Sequence, residues 1–275
     1  MYGLGFTQSF FLHKTVSNIK LSMKKHIPNI ITLLNLFFGC CALVCIFSTE
    51  FMNATIFLII SGFCDYFDGS IARMLGIKSD FGKEVDSLAD MVSFGVVPGA
   101  IVYMMLVLSH ETGAIDYYTP TIFSQSIFKL HPAALPAFII SAFSCYRLAK
   151  FNLDTRQTEN FIGLATPANT MFFLGLLFVA KNDTLGLGHF ILNPYFLYSL
   201  IPLSSFLLIS EIPMFSLKIK GFVWKGNEIR FIFALAAVAM LILFNWSAFA
   251  FIIAFYVLLN IILLFTQRDD TYSVL

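Results

Sequence analysis

Charge is scarce in this 275-residue chain: only 12% of its residues are Asp, Glu, Lys or Arg, and the formal net charge is +1. That balance offers no argument for a nucleic-acid partner. Cysteine pairing is missing too. Cys40, Cys41, Cys45, Cys64 and Cys145 all fall in apolar segments and none stands beside a histidine at metal-ligand spacing, which excludes a disulfide framework or a zinc site. His13, His26, His110, His131 and His189 are scattered at loops and segment ends, so no histidine constellation supplies a base. Residues 1–26 lack the apolar core and small-residue cleavage site of a secretory signal and carry Lys14, Lys20, Lys24 and Lys25 instead, as a basic leader held on the cytoplasmic side would. No internal repeat is evident, and the longest stretch between apolar segments on the other side, about 110–131, is too short to build its own core.

What is present is apolar surface, with 58% hydrophobic residues and 33 Phe. Apolar segments at roughly 30–48, 52–75, 84–109, 132–152, 166–181, 191–212, 228–245 and 247–266 approach or reach the ~20 residues a helix needs to cross a bilayer. The expected fold class is therefore all-α, a polytopic transmembrane helix bundle of about eight spans. The last two segments are separated only by Asn245, Trp246 and Ser247, which could turn a tight hairpin or lie within one bent helix. With the amino terminus inside and eight spans, 15 of the 17 basic residues fall on the cytoplasmic side, leaving only Lys129 and Lys181 outside. Such a bias places both termini at the cytoplasm.

Against this background four acids stand out. Asp65 and Asp68 are three residues apart, Asp86 and Asp90 four apart, so on helices each pair projects from one face. Charges in a membrane span are costly, up to about 2.5–3.5 kcal/mol each at the centre of a helix on insertion scales, which marks them as functional. Two facing helices would gather the four carboxylates, and two divalent cations would cancel their charge; oxygen-only ligands suit Mg²⁺ or Mn²⁺. Residues 74–83 between the pairs, with Gly76 and Gly82, read as a cytoplasmic turn. Gly69 clears space for a phosphate or nucleotide beside Asp68, and Arg73, one turn on, offers a planar fork for phosphate. Glycine packing and interfacial ion pairs such as Arg73 with Asp80 would account for single residues but not for the set.

The spacing Asp65-x-x-Asp68-Gly69-x-x-Ala72-Arg73, eight residues, Gly82, three residues, Asp86, three residues, Asp90 resembles the complete signature of the CDP-alcohol phosphatidyltransferase family. The resemblance implies a helical membrane enzyme, usually a homodimer, with a polar cavity open to the cytoplasm. Two metals would be held at Asp65, Asp68, Asp86 and Asp90, and CDP contacted at Gly69, Arg73 and Ser79. Asp90 would also act as the base. Further stretches are similar to the bacterial, integral-membrane phosphatidylserine synthase branch: Ile27-Pro28-Asn29 through Asn35, Ser93 through Pro98, Tyr146-Arg147-Leu148-Ala149-Lys150-Phe151-Asn152, Phe161 through Ala168, and Ser210 through Lys218. That branch implies transfer of a phosphatidyl group from CDP-diacylglycerol to L-serine with release of CMP, at the inner (cytoplasmic) membrane. Lys150 and Ala165-Thr166 depart from the common Arg and Pro-Ser.

Read physically, Asn29, Thr32 and Asn35 recur at three-residue intervals along the first span and would contact sugar or cytosine; the other reading is hydrogen bonding to neighbouring spans. Arg147 and Asn152, at the cytoplasmic end of the fourth span, are candidates for the serine carboxylate, with topology anchoring as the other reading of Arg147. The expected organisation is a leader at 1–26, a catalytic transmembrane domain at 27–220, and two further helices with a short tail at 221–275. Two other readings remain open. One is the same transfer to glycerol 3-phosphate or inositol phosphate, which would want a larger basic cluster. The other is a divalent-cation transporter, which would want its acids near mid-membrane and often a repeat.

Overall fold

A computed structural model of the chain describes residues 4–77, 79–111, 130–153, 161–215 and 227–272. Among them the backbone is nearly all helical. α1 (Leu4–Phe47) contains Pro28 and is continuous from the leader into the first span. A turn in which Thr49 takes a left-handed φ of 62° and the Glu50 N–H bonds the Cys45 carbonyl returns the chain into α2 (Phe51–Met74). α3 (Asp80–Asp90) runs without a break through a π-helical turn, Met91–Val96, into α4 (Val97–Glu111). After a 3-10 turn at Pro132–Phe138 come α5 (Ile139–Leu153), α6 (Thr166–Lys181), the short α7 (Gly188–Ile191), α8 (Pro194–Ile209), α9 (Glu228–Phe244) and α10 (Ala248–Tyr272). A two-residue antiparallel pair, β1 (Phe161–Ile162) with β2 (Pro213–Met214), ties the start of α6 to the end of α8.

Five helical stretches among the described residues are long and apolar enough to cross a membrane: His26–Phe47, Phe51–Met74, Asp80–His110, Pro132–Leu153 and Glu228–Thr266. The last comprises two helices. Asn245 breaks it with a φ of 50°, and the rings of Phe244 and Phe251 lie 5.0 Å apart while Phe233 meets Tyr256 at 5.7 Å, so α9 and α10 fold back on each other. Of the two sequence readings of Asn245–Ser247, the hairpin is the one observed. α6 and α8 have 16 residues each, about 24 Å of helix against a hydrocarbon core of about 30 Å.

From Met171 to Ala180 α6 is apolar around its whole circumference, and it is buried along most of its length, with Phe173, Leu174, Leu177 and Phe178 in the core beside Ile101 and Met105 of α4. Its Gly175 is where α10 crosses: a Cβ there would stand 2.8 Å from the Phe249 carbonyl carbon, so only glycine allows the approach. The basic residues Lys78, Lys129, Arg156, Lys218, Lys220 and Lys225, counted above for orientation, lie outside the described residues.

Candidate active site

The acids owe their meeting to local chemistry at the α2–α3 corner. Gly76 takes a φ of 64°, which a glycine adopts without strain, and ends the α2 side of the turn. Ser79 then caps α3, its Oγ accepting from the Gly82 N–H at 3.1 Å. The α3 helix therefore starts at Asp80, a turn earlier than its apolar residues suggest, and lays Asp86 opposite Asp68.

Asp65, Asp68 and Asp86 each bring a carboxylate oxygen within 4.8 Å of the other two. Asp90 lies one turn deeper on α3, within hydrogen-bonding reach of Asp65. The four predicted acids are thus together, as a triad plus a neighbour. Asp68 is buried, and Oδ1 of Asp86 is buried with no hydrogen-bond partner. A cluster of carboxylates with an unmet acceptor fits a divalent cation through its oxygen donors.

α1 supplies the supports. Thr32 donates to Oδ2 of Asp68 at 2.6 Å, and Asn35 donates from Nδ2 to Oδ1 of Asp90 at 3.0 Å. Asn35 is itself fixed: its Oδ1 accepts from Ser61 of α2, and its main-chain carbonyl accepts from Ser61 and from Ser93 in the π turn. Gly39 makes room for that turn, since a Cβ there would stand 2.9 Å from Cα of Ser93. The interhelical reading of Thr32 and Asn35 is therefore the one their hydrogen bonds follow. Ser61 escaped the sequence reading; it lies one helical turn before Asp65, a spacing that could have flagged it.

A cavity of about 350 Å³ opens beside Asp68 and Asp86, walled by Asn29, Thr32, Gly69, Arg73 and Ser79 among others. All the residues expected at CDP except Asn35, which is fully buried behind them, line it. Arg73 is exposed at this cavity and donates to Ser70 Oγ at 3.1 Å; a Cβ on Gly69 would stand 3.3 Å from its Nη1. Gly82 keeps α3 close to α1, where a Cβ would meet Asn29 Oδ1 at 3.2 Å.

Arg147 of α5 is buried outside this cavity. It interacts electrostatically with Asp90, its guanidinium lies 5.8 Å from the Phe151 ring centroid, and its Nε has no partner. Asn152 points elsewhere: its side-chain amide donates to Ser87 at 2.8 Å and its main-chain carbonyl accepts from Lys83, so it clamps α5 onto α3.

The family model for CDP-alcohol phosphatidyltransferase matches residues 25–192, which include the aspartates, the cavity and Arg147. The chain belongs to that family. Among relatives of this phosphatidyltransferase, the CDP-diacylglycerol–serine O-phosphatidyltransferase of Bacillus subtilis (strain 168) is 31% identical over 163 residues, 59% of this chain and 81% of that protein. The protein of the same name from Helicobacter pylori (strain J99) is 33% identical over 143 residues, 51% of this chain and 52% of its own. The one from Saccharomyces cerevisiae is 31% identical over 173 residues, 57% and 55%. The chain spans about half the length of the latter two.

In a phosphatidyltransferase a support that orients a metal-binding carboxylate is expected to act through metal affinity. Thr32→Val keeps the shape and removes the O–H that holds Asp68. The Mn²⁺ concentration for half-maximal CMP release should rise by about tenfold or more, with maximal turnover at saturating Mn²⁺ within a few-fold of normal. An unchanged Mn²⁺ requirement would show that the 2.6 Å contact does not orient the ligand.

Proposed function

We propose that this phosphatidyltransferase moves the phosphatidyl group of CDP-diacylglycerol to L-serine, giving phosphatidylserine and CMP. The observation that carries the reading is the carboxylate triad, two of whose members, Asp68 and Asp86, stand at the wall of a nucleotide-sized cavity, in a chain whose relatives bear the name of that reaction. Asn29, Gly69, Arg73 and Ser79 would receive the CDP moiety, with Arg73 on phosphate. Asp65, Asp68, Asp86 and Asp90 would hold two divalent cations, Mg²⁺ or Mn²⁺. When bound, these would neutralise the pyrophosphate and the charge developing on departing CMP.

The serine hydroxyl oxygen forms the new bond to the lipid-side phosphorus as the bond from that phosphorus to the CMP oxygen breaks. Asp90, oriented by Asn35, accepts the hydroxyl proton. Arg147 beside it would recognise the serine carboxylate through the paired hydrogen bonds a guanidinium makes, and its unpartnered Nε is one such donor. Asn152 serves this reading by holding α5, and with it Arg147, against α3. The hydrogen-bonded supports act from α1, Thr32 at the nucleotide-side wall and Asn35 behind it.

The same reading takes the protein as a homodimer in the inner membrane, with α6, α8, α9 and α10 each crossing to give eight spans. Both termini and the acids then face the cytoplasm, in line with 15 of 17 basic residues on that side.

Serine recognition gives the test. Arg147→Lys keeps the charge and loses the fork, so the serine KM should rise by about tenfold, equivalent to about 1.4 kcal/mol, while the KM for CDP-diacylglycerol stays within about twofold. A CMP-release assay with a panel of alcohols in place of serine checks the acceptor directly. Unchanged serine KM with a raised CDP-diacylglycerol KM would assign Arg147 to the lipid phosphate instead.

A further inference from the structure

A second cavity, of about 240 Å³, lies between α6, α8 and α10, and none of the residues lining it lines the acid cavity. Its walls are almost wholly apolar, with Phe172, Leu203, Leu207, Ala254 and Leu258 among them, and Leu203 and Leu258 are half exposed, so it opens sideways toward lipid. Two polar side chains break the pattern: Ser204, whose hydroxyl donates to the Ile201 carbonyl at 3.2 Å, and Asn169. Asn169 lines the cavity, is fully buried, and neither its Oδ1 nor its Nδ2 has a hydrogen-bond partner. An amide left bare among hydrocarbon is costly, by about 1–3 kcal/mol on protein scales, so a residue of this kind in a membrane groove calls for a ligand group.

The placement of that amide indicates the chemistry. α6 begins at Thr166 and α8 ends at Ile209, and the Leu164 N–H bonds the Leu207 carbonyl, so these ends lie at the same level. Asn169 sits one turn in from that end, and the groove continues past it along α8 from Leu207 to Leu200, about 10 Å. A ligand matching it has one hydrogen-bond acceptor at the depth of the glycerol backbone and a plain hydrocarbon chain below.

We propose that this groove holds one ester-linked acyl chain of a membrane phospholipid that does not react, its ester carbonyl accepting from Nδ2 of Asn169. Because its lining is separate from the acid cavity, the groove retains its lipid whichever lipid is turning over, and the lipid seals α6 and α8 against α10. The inference does not depend on serine as acceptor.

The test is photo-crosslinking of the full chain in bilayers with a phosphatidylcholine carrying a mid-chain diazirine, in ester-linked and ether-linked versions, with adducts mapped by mass spectrometry. In the unaltered protein adducts should fall on the α8 and α10 segments around Leu203 and Leu258, about fivefold more with the ester than with the ether probe, and saturating CDP-dioleoylglycerol should leave them in place. Asn169→Leu should abolish the ester preference. Ala254→Trp, which fills the groove, should remove the adducts while CMP release persists. Absence of groove adducts, or equal labelling by ester and ether probes in the unaltered protein, would overturn the proposal. So would displacement by CDP-dioleoylglycerol, which would give the groove to the substrate's own tail.

Discussion

Asp86→Asn and Asp68→Asn should each lower CMP release by about 10³-fold or more, roughly 4 kcal/mol of transition-state stabilisation, without unfolding the protein. Asparagine has the shape of aspartate, so the packing of α2 and α3 on α1 is kept. What disappears is a negative oxygen in a triad whose members approach within 4.8 Å of one another. In metal-free buffer that loss relieves repulsion between carboxylates, and the variants should melt no lower than the unaltered protein. Saturating Mn²⁺ should then raise the melting temperature of the unaltered protein and leave that of Asp86→Asn nearly unmoved, because an ion that binds only the folded state stabilises it in proportion to its affinity. Two measurements thus separate a metal ligand from a structural acid. Near-normal turnover in both variants at ordinary Mn²⁺ would remove the triad from the chemistry.

The spans were legible wherever an apolar run exceeds the bilayer thickness, because their composition leaves no other solvent for them. α6 was legible too, from the 166–181 run, although most of its 16 residues are buried inside the bundle rather than facing lipid. The acids were legible because spacings of three and four survive any detail of helix packing. How the α1 residues divide was not. Steps of three residues advance about 300° around a helix, so each lags the last by about 60°, and Asn35 stands about 120° away from Asn29. Asn29 therefore meets the cavity, Thr32 stands between cavity and acid, and Asn35 turns away into the helix junction to meet Asp90.

The π-helical turn was likewise hidden. Met91–Val96 carries no proline or paired glycine that would announce it, yet one widened turn directly after Asp90 brings Ser93 onto the Asn35 carbonyl. Asn152 shows the converse limit: a polar residue next to a motif arginine reads as a ligand, while its hydrogen-bond partner, Ser87, lies 65 positions away in the chain.

That junction yields the second large effect. Asp90→Asn should reduce the maximal rate of CMP release by about 10³-fold, since a positioned base contributes about 10²–10⁴. Asn35 makes no contact with the cavity and is fully buried, so its whole effect on rate should pass through Asp90, whose Oδ1 it holds at 3.0 Å. Asn35→Leu removes that donor and strips Ser61 of its partner Oδ1, and is expected to cost about 10–100-fold, the range found when an outer support of an active carboxylate is lost. A pairing of the two changes decides between action through Asp90 and general damage. If Asn35 works by orienting the carboxylate, the double variant Asn35→Leu with Asp90→Asn should be no slower than Asp90→Asn alone, because there is no base left to misplace. If the two losses multiply, to about 10⁴–10⁵-fold, then Asn35 serves the fold or another group, and the α1 helix is a wall of the site rather than the element that aims its base.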